Sequence, residues 1–126
     1  MQIDLKPGDY VYPNATCLGV VDGDTCFLDI DLGFHDWRRS RNRFGKLSLS
    51  YRLLRIDAPE IRPLATRSAG EASRDYLSAL VLGQSVIVQT LQDPDSFGRY
   101  LIELWLPDGR NVNDLMLTAG HAVPYV

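Results

Sequence analysis

One helical stretch among strands constrains this chain most. SAGEASRDYLSALVLG (68–83) places Ala72, Tyr76, Ala79 and Leu80 at helical spacing. It opens on Ser68 with Glu71 three residues on, a capping-box pair, and stops at Gly83. Before it the chain reads as three strands. Residues 10–20 run to an Asp-Gly turn, and 25–32 (TCFLDIDL) set Cys26, Leu28, Ile30 and Leu32 on one face and Thr25, Asp29 and Asp31 on the other. Residues 47–56 form the third strand, and the basic segment GFHDWRRSRNRFGK makes a long tip between strands two and three. After the helix come SVIVQTL (85–91), the turn DPDSFG, the strand RYLIELWL (99–106), and a second helix capped by Asn111. Val112, Leu115, Met116 and Ala119 form its face and Gly120 ends it.

The order β-β-β-α-β-β-α, with one helix between the third and fourth of five strands, fits an α+β fold built on a small closed barrel of the oligonucleotide-binding type. Closure leaves few free edges, which suits one domain over residues 1–126. With 45% hydrophobic and 23% charged residues the chain is globular, and no apolar run nears the roughly 18 residues of a membrane span. MQIDLKPGDY lacks a signal-peptide core, so a native N-terminus here implies a cytoplasmic protein; a trimmed secreted form would start the same way. Taking Asp22-Gly23 as the turn centre pairs Val21 with Asp24 and Cys17 with Leu28. Cys26 is then a diagonal neighbour of Cys17, which predicts two free thiols. His35 and His121 stand in no ligand spacing and read as surface or turn residues.

Net charge is −3, yet Arg38, Arg39, Arg41, Arg43 and Lys46 fall within nine residues with no acid among them. Such a patch can steer a polyanion on an acidic protein. The acids gather elsewhere. Asp22 and Asp24 flank Gly23, and YRLLRIDAPE ends the third strand on Asp57, Pro59 and Glu60. Carboxylates from separate segments make a hard-oxygen site suited to Ca²⁺ or Mg²⁺, and the absence of nearby His and Cys argues against zinc. Arginines such as Arg52 and Arg99 can bind phosphate oxygens while a carboxylate orients or deprotonates a water. That combination is the chemistry of phosphodiester cleavage.

VVDGDT, YRLLRIDAPE, GEAS and DSFGRYLIELWLPDGRNVNDLMLTAGHA, in that order, resemble the staphylococcal nuclease (thermonuclease) family from about Cys17 to Tyr125. The resemblance implies its barrel with packed helices and Ca²⁺-dependent hydrolysis of DNA or RNA, breaking the 5′-oxygen bond to leave 3′-phosphates. Asp24 and Asp57 match the metal-ligand aspartates. Ala58 stands where a threonine ligates through its carbonyl. Glu60 matches the residue that positions the attacking water, and Arg52 and Arg99 match the phosphate-binding arginines.

The chain also departs from that pattern. Phe97 replaces a tyrosine whose hydroxyl holds a terminal phosphate, and Tyr125 matches a base-stacking tyrosine with spacing one residue short. The chain stops at Val126, so the family's last helix is missing, and the basic segment is longer and more basic than the family's short turn. That segment suits an auxiliary nucleic-acid arm, or alternatively a hairpin with no role or an oligomer contact. Period-two counting puts Arg55, not Arg52, on the face of Asp57, so a matched Arg52 requires the strand to bend or bulge between Leu53 and Asp57. The competing reading is a barrel that has lost the chemistry and binds nucleic acid or a protein; the five matched side chains favour the enzyme.

Overall fold

A computed structural model describes residues 9–94 and 99–125. Its strands are β1 (Tyr10–Asp22), β2 (Thr25–Gly33), β3 (Asp36–Arg38), β4 (Ser50–Leu53), β5 (Ile56–Asp57), β6 (Ser85–Pro94), β7 (Tyr100–Trp105) and β8 (Val123–Pro124). Helix α1 (Arg67–Val81) separates β5 from β6, and α2 (Val112–Thr118) separates β7 from β8. The order β1-β6-β7-β4-β2 closes through a β1–β2 pairing into a five-stranded barrel, with β3 added at the edge of β2. Only β4–β7 is parallel; the other barrel pairings are antiparallel. Leu28, Ile30, Tyr51, Leu53, Val86, Val88, Ile102 and Leu104 fill the interior, and α1 adds Leu77 and Val81. No described helix is long and apolar enough to cross a membrane.

The first turn differs from its sequence reading. Gly23-Asp24 form its centre and Asp22 faces Thr25, not Val21 facing Asp24. Irregularities at Val20/Asp22 and Cys17/Gly19 then restore the expected Cys17–Leu28 pair. The extra residues twist the hairpin and turn Asp24 and Thr25 inward, where both are buried. Cys17 and Cys26 are free and buried.

The expected third strand is two strands. The ladder breaks at Leu54-Arg55, where Arg55 takes φ 72° and the chain changes direction into β5. The required irregularity therefore falls between Leu53 and Asp57. The basic segment is folded as well. It makes β3 and an Arg41–Leu47 bridge, tied to β2 by the buried Ser40 hydroxyl, which donates to Leu28 O. Leu32 is 41% exposed because the barrel interior ends before it.

Helix α1 starts at Arg67 after Thr66, not after Ser68. The Thr66 hydroxyl donates to Glu60 O, so the preceding loop fixes the start and the Ser68–Glu71 box is not used. Its buried face is Gly70, Ser73, Leu77 and Val81, with Tyr76 and Leu80 alongside; Ala72 and Ala79 face outward. Helix α2 follows its reading at both ends: Asn111 accepts from Asp114 N–H at 2.8 Å, and Gly120 leaves the helix at φ 77°. Its buried face is Val112, Asn113 and Met116 with Leu115 beside them; Ala119, expected on that face, lies past the last turn and is exposed.

Candidate active site

The Gly23-Asp24 turn, the end of β4, β5 and the start of β7 meet at one rim of the barrel. Two close approaches hold it together. A Cβ on Gly23 would lie 1.8 Å from Ser73 Oγ, and one on Gly70 would lie 2.7 Å from Glu60 O. Glycine at both points lets α1 press on the turn and on the Pro59–Glu60 backbone.

Asp24 is 4% exposed and its carboxylate is fully engaged. Oδ1 accepts from Thr25 Oγ1 at 2.9 Å. Oδ2 accepts from Ala58 N–H at 2.9 Å and pairs with Arg52 Nη1 at 2.7 Å. Arg52 Nη2 donates to Ile56 O at 3.1 Å and lies 3.6 Å from Asp57 Oδ1. Its guanidinium also sits 5.3 Å from the centre of the Tyr125 ring. Tyr125 reaches it because β8 pairs with β5 and Tyr125 N–H donates to Arg55 O at 2.9 Å. Arg99 Nη1 donates to Thr25 Oγ1 across 3.4 Å, a long contact that links it to Asp24 through one hydroxyl.

Arg55 points away from these groups. It pairs with Glu103 and, at 2.9 Å, with Asp114, which hold its guanidinium strongly protonated. The break in the strand thus separates two arginines that parity alone would have exchanged.

Asp57 and Glu60 are the open acids, Asp57 with a side chain 53% exposed. Glu60 lines a cleft of about 530 Å³ with Asp22, Arg62 and Arg74. Asp22 is the acid whose involvement the turn sequence left unassigned: its Oδ1 accepts from Asp24 N–H at 3.1 Å. Burial, reinforced by the Asp24 carboxylate, pushes Asp22 up to about 6. Burial also acts to raise Asp24, but hydrogen bonds from Asp22, Ala58 N–H and Arg52, with the Arg52 charge, hold it below the ordinary aspartate value.

The donor set fits a hard cation in kind. Asp24, Asp57 and the Ala58 carbonyl offer oxygens, and Asp22 adds negative charge beside them. Among the described residues no three His, Cys, Asp or Glu side chains gather as a metal cluster. Few protein ligands suit a loosely held, water-rich ion rather than tight capture.

The basic segment lies apart from this rim. Arg38 Nε donates to Tyr51 Oη at 2.7 Å, and Arg39 pairs with Asp29 at 3.0 Å. Arg41 donates to Gly45 O at 2.8 Å, and Arg43 lies over the exposed Phe44 ring. Lys46 N–H donates to Asn42 Oδ1 at 3.1 Å, closing the loop. The acid that opposes Arg39 comes from β2, outside the run itself. Phe97 lies outside the described residues. Alternation along its strand sets Thr25 on the face opposite Cys26; its contact with Asp24 and Arg99 depends on the shifted turn, which no local pattern signals.

The family described as staphylococcal nuclease homologue matches residues 50–126. Two similar proteins, each called an uncharacterized endonuclease, come from Escherichia coli O157:H7 and Escherichia coli. Each is 42% identical over 74 residues, 59% of this chain and 45% of the relative. The chain thus matches less than half the length of these relatives. The family match spans more than half of this chain and contains Arg52, Asp57, Glu60 and Arg99, while Asp24 reaches the same rim from β1–β2. The chain belongs to the staphylococcal nuclease homologue family.

Proposed function

We propose that this chain is a Ca²⁺-dependent nuclease that hydrolyses DNA or RNA phosphodiesters to 3′-phosphate products. The observation that carries the reading is the convergence of Asp24, Arg52 and Asp57 on one rim, with Arg99 joined to it through Thr25. Asp24, Asp57 and the Ala58 carbonyl would hold the cation, which when bound neutralises charge on the phosphate. Arg52 would bind a non-bridging oxygen by exchanging part of its pairing with the acids for the phosphate, and Arg99 would bind another. Glu60, on an open cleft, would take a proton from the attacking water. The relatives' printed name, endonuclease, supports the same class.

The test is cleavage of single-stranded DNA by purified protein in Ca²⁺, beside a chelator control and Glu60→Ala. The expected result is cleavage that the chelator abolishes and Glu60→Ala lowers by about two orders of magnitude or more. A second reading, a binding module without chemistry, draws on the full engagement of Asp24 by Thr25, Ala58 and Arg52. Salt-sensitive binding without cleavage would select it.

A further inference from the structure

The barrel has a second opening. Helix α1 closes the end near Cys17, where Gly83 N–H donates to Cys17 O at 2.9 Å. Five to seven residues back along β1, roughly 17–23 Å at strand rise, Tyr10 and Tyr12 edge a cavity of about 230 Å³. Tyr51, Tyr100, Leu32 and Arg38 help line it. Tyr51 and Tyr100 are direct partners across the β4–β7 ladder. Each is the immediate neighbour of a candidate phosphate-binding arginine, Arg52 or Arg99. The same two strands therefore serve both the acidic rim and this aromatic mouth.

The lining is specific in character. Tyr10 and Tyr12 stack with ring centres 6.4 Å apart, and Tyr10 is 58% exposed. Arg38 lies 5.2 Å from the Tyr100 ring centre and 5.9 Å from that of Tyr51, while its Nε donates to Tyr51 Oη. Among the described residues it has no carboxylate partner and its terminal nitrogens make no hydrogen bond. An aromatic slot with an arginine free to meet an anion is what an unpaired base and its phosphate require. The slot is smaller than a drug-sized pocket and has room for about one ring system. Arg39 is paired with Asp29, but Arg41 and Arg43 follow in the same folded segment and add positive charge to it.

We propose that this mouth is a single-strand binding site, separate from the acidic rim, that stacks an unpaired base on Tyr10 and Tyr12 with Arg38 holding its phosphate. The identity of the polymer rests on the nuclease reading; the site itself does not need cleavage. The test is binding of a labelled single-stranded oligothymidylate, and of the matching duplex, in chelator. Tyr10→Ala and Tyr12→Ala are each expected to weaken single-strand binding about tenfold, within the range for losing one stacked base. Tyr10→Phe and Tyr12→Phe, which keep the ring, should bind as the parent does. Duplex binding should change little, because paired bases cannot enter. Thermal melting identifies a Tyr12 variant that is merely unfolded, and the exposed Tyr10 supplies the test in that event. Unchanged single-strand affinity in Tyr10→Ala, or an equal loss on duplex, overturns the proposal. Binding lost in the alanine variants of a protein that cleaves nothing would keep this site and sink the nuclease reading; cleavage with unaltered binding in those variants would do the reverse.

Discussion

Asp22 and Asp24 are one residue apart around Gly23, yet they occupy opposite electrostatic conditions. Asp24 has Arg52 and two hydrogen-bond donors on its oxygens; Asp22 is half-buried beside Asp24's charge. Its raised value has a sign. An acid whose folded value, about 6, exceeds its ordinary 3.8 favours the fold when protonated, and that contribution is present below about 3.8 and lost as pH rises through about 6. At neutral pH the ionised Asp22 therefore destabilises, by at most roughly 3 kcal/mol. Asp22→Asn keeps the acceptor for Asp24 N–H and removes the charge. It should raise Tm at pH 7 in the absence of divalent ions, with the gain fading between about pH 6 and 4; a pH-independent gain would locate its cause elsewhere. Asp24→Ala should act in the opposite direction. It strips the closest partner from Arg52, whose side chain is 14% exposed, and breaking such a pair costs about 3–5 kcal/mol. Denaturant melts alongside cleavage would separate lost folding from lost chemistry.

At the scale of elements, the turn between β4 and β5 decides which arginine faces the acids. Arg55 holds φ 72°, a conformation that costs a non-glycine residue about 1–2 kcal/mol. Its pairing with Glu103 and Asp114, and Asn113 Nδ2 donating to Leu54 O at 2.9 Å, hold the turn in place. Arg55→Ala loses the pairs and keeps the strain, whereas Arg55→Gly loses the pairs and relieves it. Arg55→Gly should therefore be the more stable of the two by about 1 kcal/mol in urea melts; equal midpoints would remove the strain from the account. The need for this break was legible, because Arg52 and Arg55 cannot both share a face with Asp57 on a regular strand. The means was not, since the buried Asn113 that anchors it is 59 residues away from Leu54 in the chain. The start of α1 was misread for a similar reason. Ser68 and Glu71 form a local capping signal, but Thr66 is tied to Glu60 O by tertiary structure. Gly70 depends on the same tie: Gly70→Ala would drive a methyl into the Glu60 backbone and should cost about 1–3 kcal/mol. A parent-like melt with full activity would show that the loop yields freely.

Across the whole molecule, barrel closure joins what the chain keeps apart. The five strands and two helices were legible because period-two and helical patterns alternate along the sequence. The β3 strand inside the basic segment was not, since Trp37, Arg38 and Arg39 show no burial pattern and their order comes from partners such as Asp29 and Tyr51. Those partners alter the arm proposed there. Arg38 is turned to the barrel mouth and Arg39 is paired with Asp29, so Arg41 and Arg43 are the more available phosphate contacts. Five contacts from the whole run would give a log–log salt slope near −3.5 on single strands, and each one lost should lower its magnitude by about 0.7. Arg41→Gln with Arg43→Gln should therefore flatten the slope by about 1.4 and raise KM. It should affect kcat little, because neither guanidinium contacts the acidic rim. Salt titration of binding in chelator reads the slope, and steady-state cleavage reads KM and kcat. A large fall in kcat at unchanged KM would place these arginines in the chemical step and remove the separate arm; an unchanged slope would mean that nucleic acid follows another path across the barrel.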